Sequence, residues 1–460
     1  MRALLVLALT LVLLPAGARA SAPADGGAVP APAGRRCDPG ASDRAPDSSA
    51  GTLRACAVAS PPSGAPAPRS GAPLRIAFID PLSGPFALTG EIALKRFRQE
   101  AEDVGREAGL AIEIVPLDNK GSAQESVTML RRAIDQGIRY VAQGQGSGAA
   151  LALVEAIGRH NERDPARALL YLNYAALDPS LTEGRCSFWH FRFDAHVEMR
   201  MEALTSHLAR QSEVRRVYLV VQDYSFGHQF AAAARAMLAR KRPDIEIVGE
   251  DRHPPGQVRD FAPYVAKIRA ARADAVLTGN WGNDMNLLVK AAREAKLEAS
   301  FYTFFASSPG AVEAMGDAGI GRVRDVTDWH PNAASRATLR RAAAFRARTG
   351  EEFHFYRVGI LMRMLAAASA QARSVEPRDV AFALEDLRAQ TDLGEARMRA
   401  RDHQLIVPLV VAGLERSARA GGPREVRVES GRSLGWRTLE RLPGYVTATP
   451  TSCDMRRPAR

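Results

Sequence analysis

From Leu74 onward, short apolar runs alternate with stretches of helical, 3.6-residue periodicity. LRIAFID, AIEIVPLD, RYVAQ, ALLYLNY, SFWHFRF, RVYLVVQD, IEIVGED, DAVLTGN and SFYTFFA are almost continuously hydrophobic, the pattern of strands covered on both faces. Between them, SAQESVTMLRRAIDQG places apolar residues along one helical face. Ser122 and Glu125 fit a capping box there, and Gly137 fits the stop. Regular βαβ alternation predicts an α/β fold of doubly wound parallel sheets. Roughly 230 residues of it exceed one sheet of ordinary size, so two Rossmann-like lobes are expected.

The break between lobes is placed near FRFDAH, residues 191–196, after which a new helix and a new strand series begin. A helical stretch at 335–391 and late strands at EARMRARD and QLIVPLVVAGLE bring the chain back. The expected lobes are 74–193 with 329–403 and 194–328 with 404–440, followed by a tail at 441–460. Repeated crossing between lobes predicts a hinge, and hinges let lobes close on a ligand.

The N-terminus bears on the compartment. Arg2, the apolar run Ala3 to Leu14 and the small-x-small triplet Ala18-Arg19-Ala20 read as a cleaved signal peptide over residues 1–20. Residues 21–73, rich in Ala, Pro, Gly and Ser, have too little large apolar surface to offset ordering entropy and read as a disordered leader. No later run approaches the roughly 18–20 residues that span a bilayer, so a secreted, periplasmic protein is expected. Four cysteines in an oxidising compartment allow two disulfides in three pairings. Cys37 with Cys56 is favoured because they share one short segment, leaving Cys186 with Cys453.

With 46% apolar and 25% charged residues the composition is globular. The formal charge of +11 falls to +9 without Arg2 and Arg19 and is carried by dispersed arginines. Dispersal argues against a nucleic-acid face.

Three strands run into loops of Gly, Ser, Pro or aromatic residues and then into helices: at PLSGPFALTG, GQGSGAA and DYSFGHQF. Such loops, at the carboxyl ends of parallel strands, face a shared crevice. In GQGSGAA, Gly144, Gly146 and Ala149 match the dinucleotide fingerprint, but the next strand ends in Asn173 and Tyr174 where an acidic residue is wanted. The alternative is an anion site made by the Ser147 hydroxyl and the helix-start amides, that of Gly148 included. A catalytic role for Ser147 lacks the glycine that GxSxG places at 145. His190, Asp194 and His196 have a spacing that a metal site uses, without a further ligand nearby; no metal, cofactor or enzyme activity is expected. GNWGNDMN offers Trp281 as an apolar wall and Asp284 as either a helix cap or an ammonium partner. Phe86, Tyr224 and Phe226 belong to the other two loops.

The chain resembles the periplasmic substrate-binding proteins of ABC transporters of the branched-chain amino acid (Leu/Ile/Val-binding) type. PLSGPFALTG, LDNKGSAQESV, YAALDPSLTE, VQDYSFGHQFA and GNWGNDMNLLVKAAREAKL match that family's motifs in order, across most of residues 74–415. The resemblance implies the type I periplasmic binding protein fold, with two lobes joined by three crossings, closing on a solute that is delivered to a membrane permease. It places Ser147 on a ligand carboxylate, Ala175 on a ligand amine through its backbone, and Asp284 near that ammonium. Leu177 stands where Thr is usual, Phe226 where Tyr is usual and Thr89 where Tyr is frequent, which makes the pocket more apolar. The expected function is therefore capture of an amino acid or related small carboxylate, with an apolar or aromatic body, by a monomeric importer component that delivers it to permease subunits in the inner membrane. The alternative is a ligand-sensing subunit for a membrane kinase or chemoreceptor.

Overall fold

The computed structural model describes residues 73–416, 426–427 and 433–459. The expected signal peptide, the leader up to residue 72 and the Cys37 and Cys56 positions lie outside the described residues. Among those described, no helix is long and apolar enough to cross a membrane.

The first half runs β1 (Leu74–Asp80), α1 (Ala87–Ala108), β2 (Ile112–Asp118), α2 (Ala123–Asp135), β3 (Tyr140–Gln143), α3 (Ser147–Arg163), β4 (Leu170–Asn173) and β5 (His190–Arg192). The second repeats the plan as α4 (Val197–Leu208), β6 (Arg216–Gln222), α5 (Ser225–Lys241), β7 (Glu246–His253), α6 (Ala262–Ala270), β8 (Ala275–Thr278), α7 (Asn283–Glu294), β9 (Ser300–Thr303), α8 (Ala311–Met315) and β10 (Val323–Thr327). There follow α9 (Arg336–Thr349), α10 (Tyr356–Ala372), α11 (Pro377–Leu384), β11 (Arg388–Thr391), β12 (Gly394–Arg399) and β13 (Gln404–Ile406). The chain ends with β14 (Leu409–Arg416), β15 (Val426–Arg427), β16 (Ser433–Leu442) and α12 (Gly444–Thr447).

Two mixed sheets result. One has the order β11-β12-β13-β5-β4-β3-β1-β2 and the other β15-β16-β14-β10-β9-β8-β6-β7. The parallel core is the same doubly wound order used twice, 2-1-3-4-5, which opens a crevice at the strands' carboxyl ends. The continuous apolar runs have the cause expected of them: in β1, Ile76 and Phe78 pack into one cluster and Ala77 and Ile79 into another, all fully buried. Ser122 caps α2, its Oγ accepting from the Glu125 amide at 3.3 Å.

The chain passes between sheets after β5, after β10 and after β13. The run QLIVPLVVAGLE reads as one strand but forms two, because Pro408 has no N–H to give a ladder. Its first piece pairs with β5 and its second with β10. The last passage therefore falls after Ile406 rather than before Gln404.

The passages are tied together by a buried polar network. Gln404 Nε2 donates to the Asp194 carbonyl at 2.8 Å, and Arg192 Nε donates to Gln404 Oε1 at 2.6 Å. Asp194 holds Arg200 at 2.5 Å and Arg357 at 2.9 Å, and Arg357 also reaches Asp328 at 3.4 Å. Asp194 is thus committed to arginines. His190 Nε2 meets Asn173 Nδ2 at 3.2 Å, and His196 Nδ1 accepts from the Glu198 amide. These three residues do not converge as a ligand set. Cys186 and Cys453 form a disulfide.

Candidate functional site

The expected loops meet between the two sheets. A cavity of about 50 Å³ there is lined by Thr89, Ser147, Ala175, Leu177, Tyr224, Phe226 and Trp281, all of them expected site residues, together with Gln145, Phe305, Ser308, Phe355 and Arg357 among others.

Ser147 is the first residue of α3 and is buried. Gly146, at φ +88°, precedes it and gives the helix-start amides no side-chain cap. The turn is braced from below by Asp80 at the end of β1. Its carboxylate accepts from the Gln145 amide at 3.0 Å and from the Tyr174 hydroxyl at 2.5 Å, and Gln143 Nε2 approaches at 3.3 Å. Burial pushes the Asp80 carboxyl up to about 7, against the lowering pull of these bonds. Gly144 is required beside it, since a Cβ there would stand 2.8 Å from the Ala175 nitrogen and from the Tyr174 ring. Asn173, where a dinucleotide site wants an acid, instead folds its own loop: Oδ1 accepts from the Ala175 and Ala176 amides.

On the opposite side, Trp281 Nε1 donates to the Tyr224 hydroxyl at 2.7 Å. This fixes the indole as a flat wall. Phe226, also in the lining, is buried against Tyr224 and Phe305.

Phe86 is not in the cavity wall. Its ring stacks on Trp281 with centroids 4.2 Å apart, so a residue expected to touch solute closes the cleft from outside. Gly282, at φ +59°, permits that approach, because a Cβ on it would come within 2.9 Å of Phe86 Cδ1. Ser225 of α5 also hydrogen-bonds the Asp178 carboxylate across the cleft.

Two further expected site residues lie outside the lining. Asp284 is fully buried in the first turn of α7 and does not line the cavity. Its Oδ2 accepts from Gln222 Nε2 at 2.6 Å and from the Gly256 amide at 2.8 Å, and Oδ1 is buried without a partner. The carboxylate is turned into its own lobe, away from the cavity. Gly148 is exposed and likewise outside the lining.

Arg357, at the start of α10, carries charge in the cavity wall, and no Asp or Glu lines that cavity among the described residues. Its Nε donates to the Tyr174 carbonyl at 2.6 Å. Burial opposes its charge, but Asp194 and Asp328 outweigh this and hold its pKa above the usual arginine value. Nothing local in the sequence marks this one arginine.

The comparisons agree with this architecture. Residues 73–421 match the family described as "Periplasmic binding protein". Leu/Ile/Val-binding protein homolog 4 of Brucella abortus (strain 2308) is 31% identical over 401 residues, covering 85% of this chain and 94% of its own. The closed form of a leucine-, isoleucine-, valine-, threonine- and alanine-binding protein from Brucella ovis is 29% identical, with a TM-score of 0.72 over 84% of this chain and 100% of that one. A solute-binding protein of an ABC transporter from Rhodopseudomonas palustris BisB5, solved with 3,4-dihydroxybenzoic acid, shares the fold at 17% identity and TM-score 0.68, over 81% and 97% of the two chains. Two doubly wound lobes around a cleft, and a match that runs through both, make this chain a member of the periplasmic binding protein family.

Proposed function

We propose that the protein is the periplasmic solute-binding component of an ABC importer. It encloses a small organic carboxylate, amino acids included, between its lobes and presents the closed form to permease subunits in the inner membrane as a monomer. In this reading residues 1–20 are the cleaved export signal, and the lobes comprise 74–193 with 329–406 and 194–328 with the chain after Ile406.

The observation that carries it is the cavity itself. Ser147 and the head of α3 stand on one side, Tyr224, Phe226 and Trp281 on the other, and Arg357 is the charge between them. A carboxylate there gains charge-assisted bonds in a largely apolar cleft. An α-amine there meets neutral acceptors, such as the Gln145 Oε1 that is buried without a partner, and no carboxylate, since Asp284 faces away. Leu177, Phe226, Trp281, Phe305 and Phe355 supply a wall suited to an apolar body. The lobes gain closing energy only from a solute that prefers the shut form.

A thermal-shift screen of amino acids, aromatic acids and short-chain carboxylates tests the reading. Binders should raise the melting temperature with the logarithm of concentration over Kd, and Ser147→Ala should erase the shift. A carboxylate that stabilises wild type and Ser147→Ala alike, or a screen without any hit, refutes it.

A further inference from the structure

The cleft does not end at the Ser147 cavity. Phe305, Ser308, Phe355 and Arg357 line it and also line a second chamber of about 330 Å³. The first cavity holds only a few water-sized volumes at ~10–15 Å³ each. The second reaches the roughly 300–1,000 Å³ range of ligand pockets.

The chamber's walls come from both lobes: the loop after β9 on one side, α9 and the segment before α10 on the other, and the passage Thr327–His330 as a floor. Its lining is rich in aromatic side chains, with charges of both signs at its edges: Arg200, Arg346 and Arg357, and Glu313, Asp328 and Glu352. Trp329 stacks with Tyr356 at 5.8 Å and meets Phe353 edge-on at 5.1 Å. Arg346 pairs with Glu352, and Arg200 and Arg357 are held by Asp194 and Asp328. His330 and His354 are pushed down to about 4 by burial and stay uncharged near neutral pH. Between the two spaces, Phe355 adopts φ +55° and ψ +50°, a left-handed conformation uncommon for a bulky side chain. It places Phe355 in both linings.

We propose that this chamber is a second subsite of the same cleft, taking the aryl-bearing body of a solute whose carboxylate is held at Ser147 and Arg357. The inference rests on the carboxylate reading above and adds the class: arylalkanoates longer than a branched-chain amino acid.

Calorimetric titration of the mature chain with phenylacetate, 3-phenylpropanoate and 4-phenylbutanoate tests it. In wild type, affinity should rise along the series by up to about fourfold per buried methylene. Ala342→Trp and Ala343→Trp, on the α9 wall, should weaken 4-phenylbutanoate by about tenfold or more while leaving phenylacetate nearly unchanged, and Ser147→Ala should weaken all three together. If Ser147→Ala weakens every member but affinity is flat along the series, or both tryptophan variants bind 4-phenylbutanoate as wild type does, the chamber is not a subsite and the carboxylate reading survives. No binding by any member overturns both.

Discussion

Phe86 of the first lobe lies over Trp281 of the second, ring centroids 4.2 Å apart and planes 25° from parallel. The indole is itself fixed by its bond to the Tyr224 hydroxyl. The stack joins the lobes across the mouth, and opening of the cleft as proposed above has to break it. Such a pair is worth about 0.5–1.5 kcal/mol. Phe86→Ala should therefore speed solute release by about two- to tenfold in stopped-flow measurements, with little change in melting temperature without solute. An unaltered release rate would show that closure does not depend on the stack.

Arg357 joins the cavity to the hinge. It bonds the Tyr174 carbonyl beside the solute loop and pairs with Asp194 and Asp328, which lie on two different passages between lobes. Arg357→Met leaves Asp328 buried without its cation, while Asp194 keeps Arg200. Breaking a buried pair from one side costs about 3–5 kcal/mol, to be read from urea melts, and Arg357→Lys should recover part of it. Wild-type stability in Arg357→Met would mean the network does not hold the passages.

The parallel cores were legible because burial on both faces writes itself into sequence as continuous apolar runs such as RVYLVVQ. The loops could be read for the same reason, since they follow those runs. The direction an acid faces leaves no such trace. Asp284 satisfies helix-start preferences whether it points at solute or, as here, at Gln222 and the Gly256 amide. Arg357 follows Tyr174 by 183 positions and is one cation among 62 lysines and arginines. Only the fold brings it to the cavity. The stacking of Phe86 on Trp281 is likewise a matter of packing that no spacing encodes.

Asp80 gives a pH signature. Its carboxyl is raised from 3.8 to about 7 by burial, so between those values the folded chain holds a proton that the unfolded chain has lost. This group's stabilising contribution is complete below about pH 4 and fades as pH rises through about 7, by up to about 4 kcal/mol. His330 and His354, pushed down to about 4, tilt the profile the other way below their usual 6.5. The difference between wild type and Asp80→Asn isolates the aspartate. Asp80→Asn should gain on wild type from pH 5 to pH 8 in chemical melts, and a constant difference would mean that Asp80 ionises normally.

The disulfide makes the tail a further link between lobes. After β16, in the second sheet, the chain passes through α12 and reaches Cys453, bonded to Cys186 in the loop between β4 and β5 of the first. On the way Thr449 Oγ1 meets His196 Nε2 at 3.0 Å, at the first passage, and Thr451 Oγ1 donates to the Thr182 carbonyl at 2.9 Å. A bond closing a loop this long removes much unfolded-chain entropy. Cys453→Ser should lower stability by about 2–5 kcal/mol. If the tail also limits how far the lobes part, fluorophores placed on α2 and α6 should report a wider open state in the variant without solute. The two readouts separate the roles: a lower melting point with an unchanged distance distribution would make the bond a stabiliser alone, and neither change would show that the noncovalent contacts of Thr449 and Thr451 hold the tail by themselves.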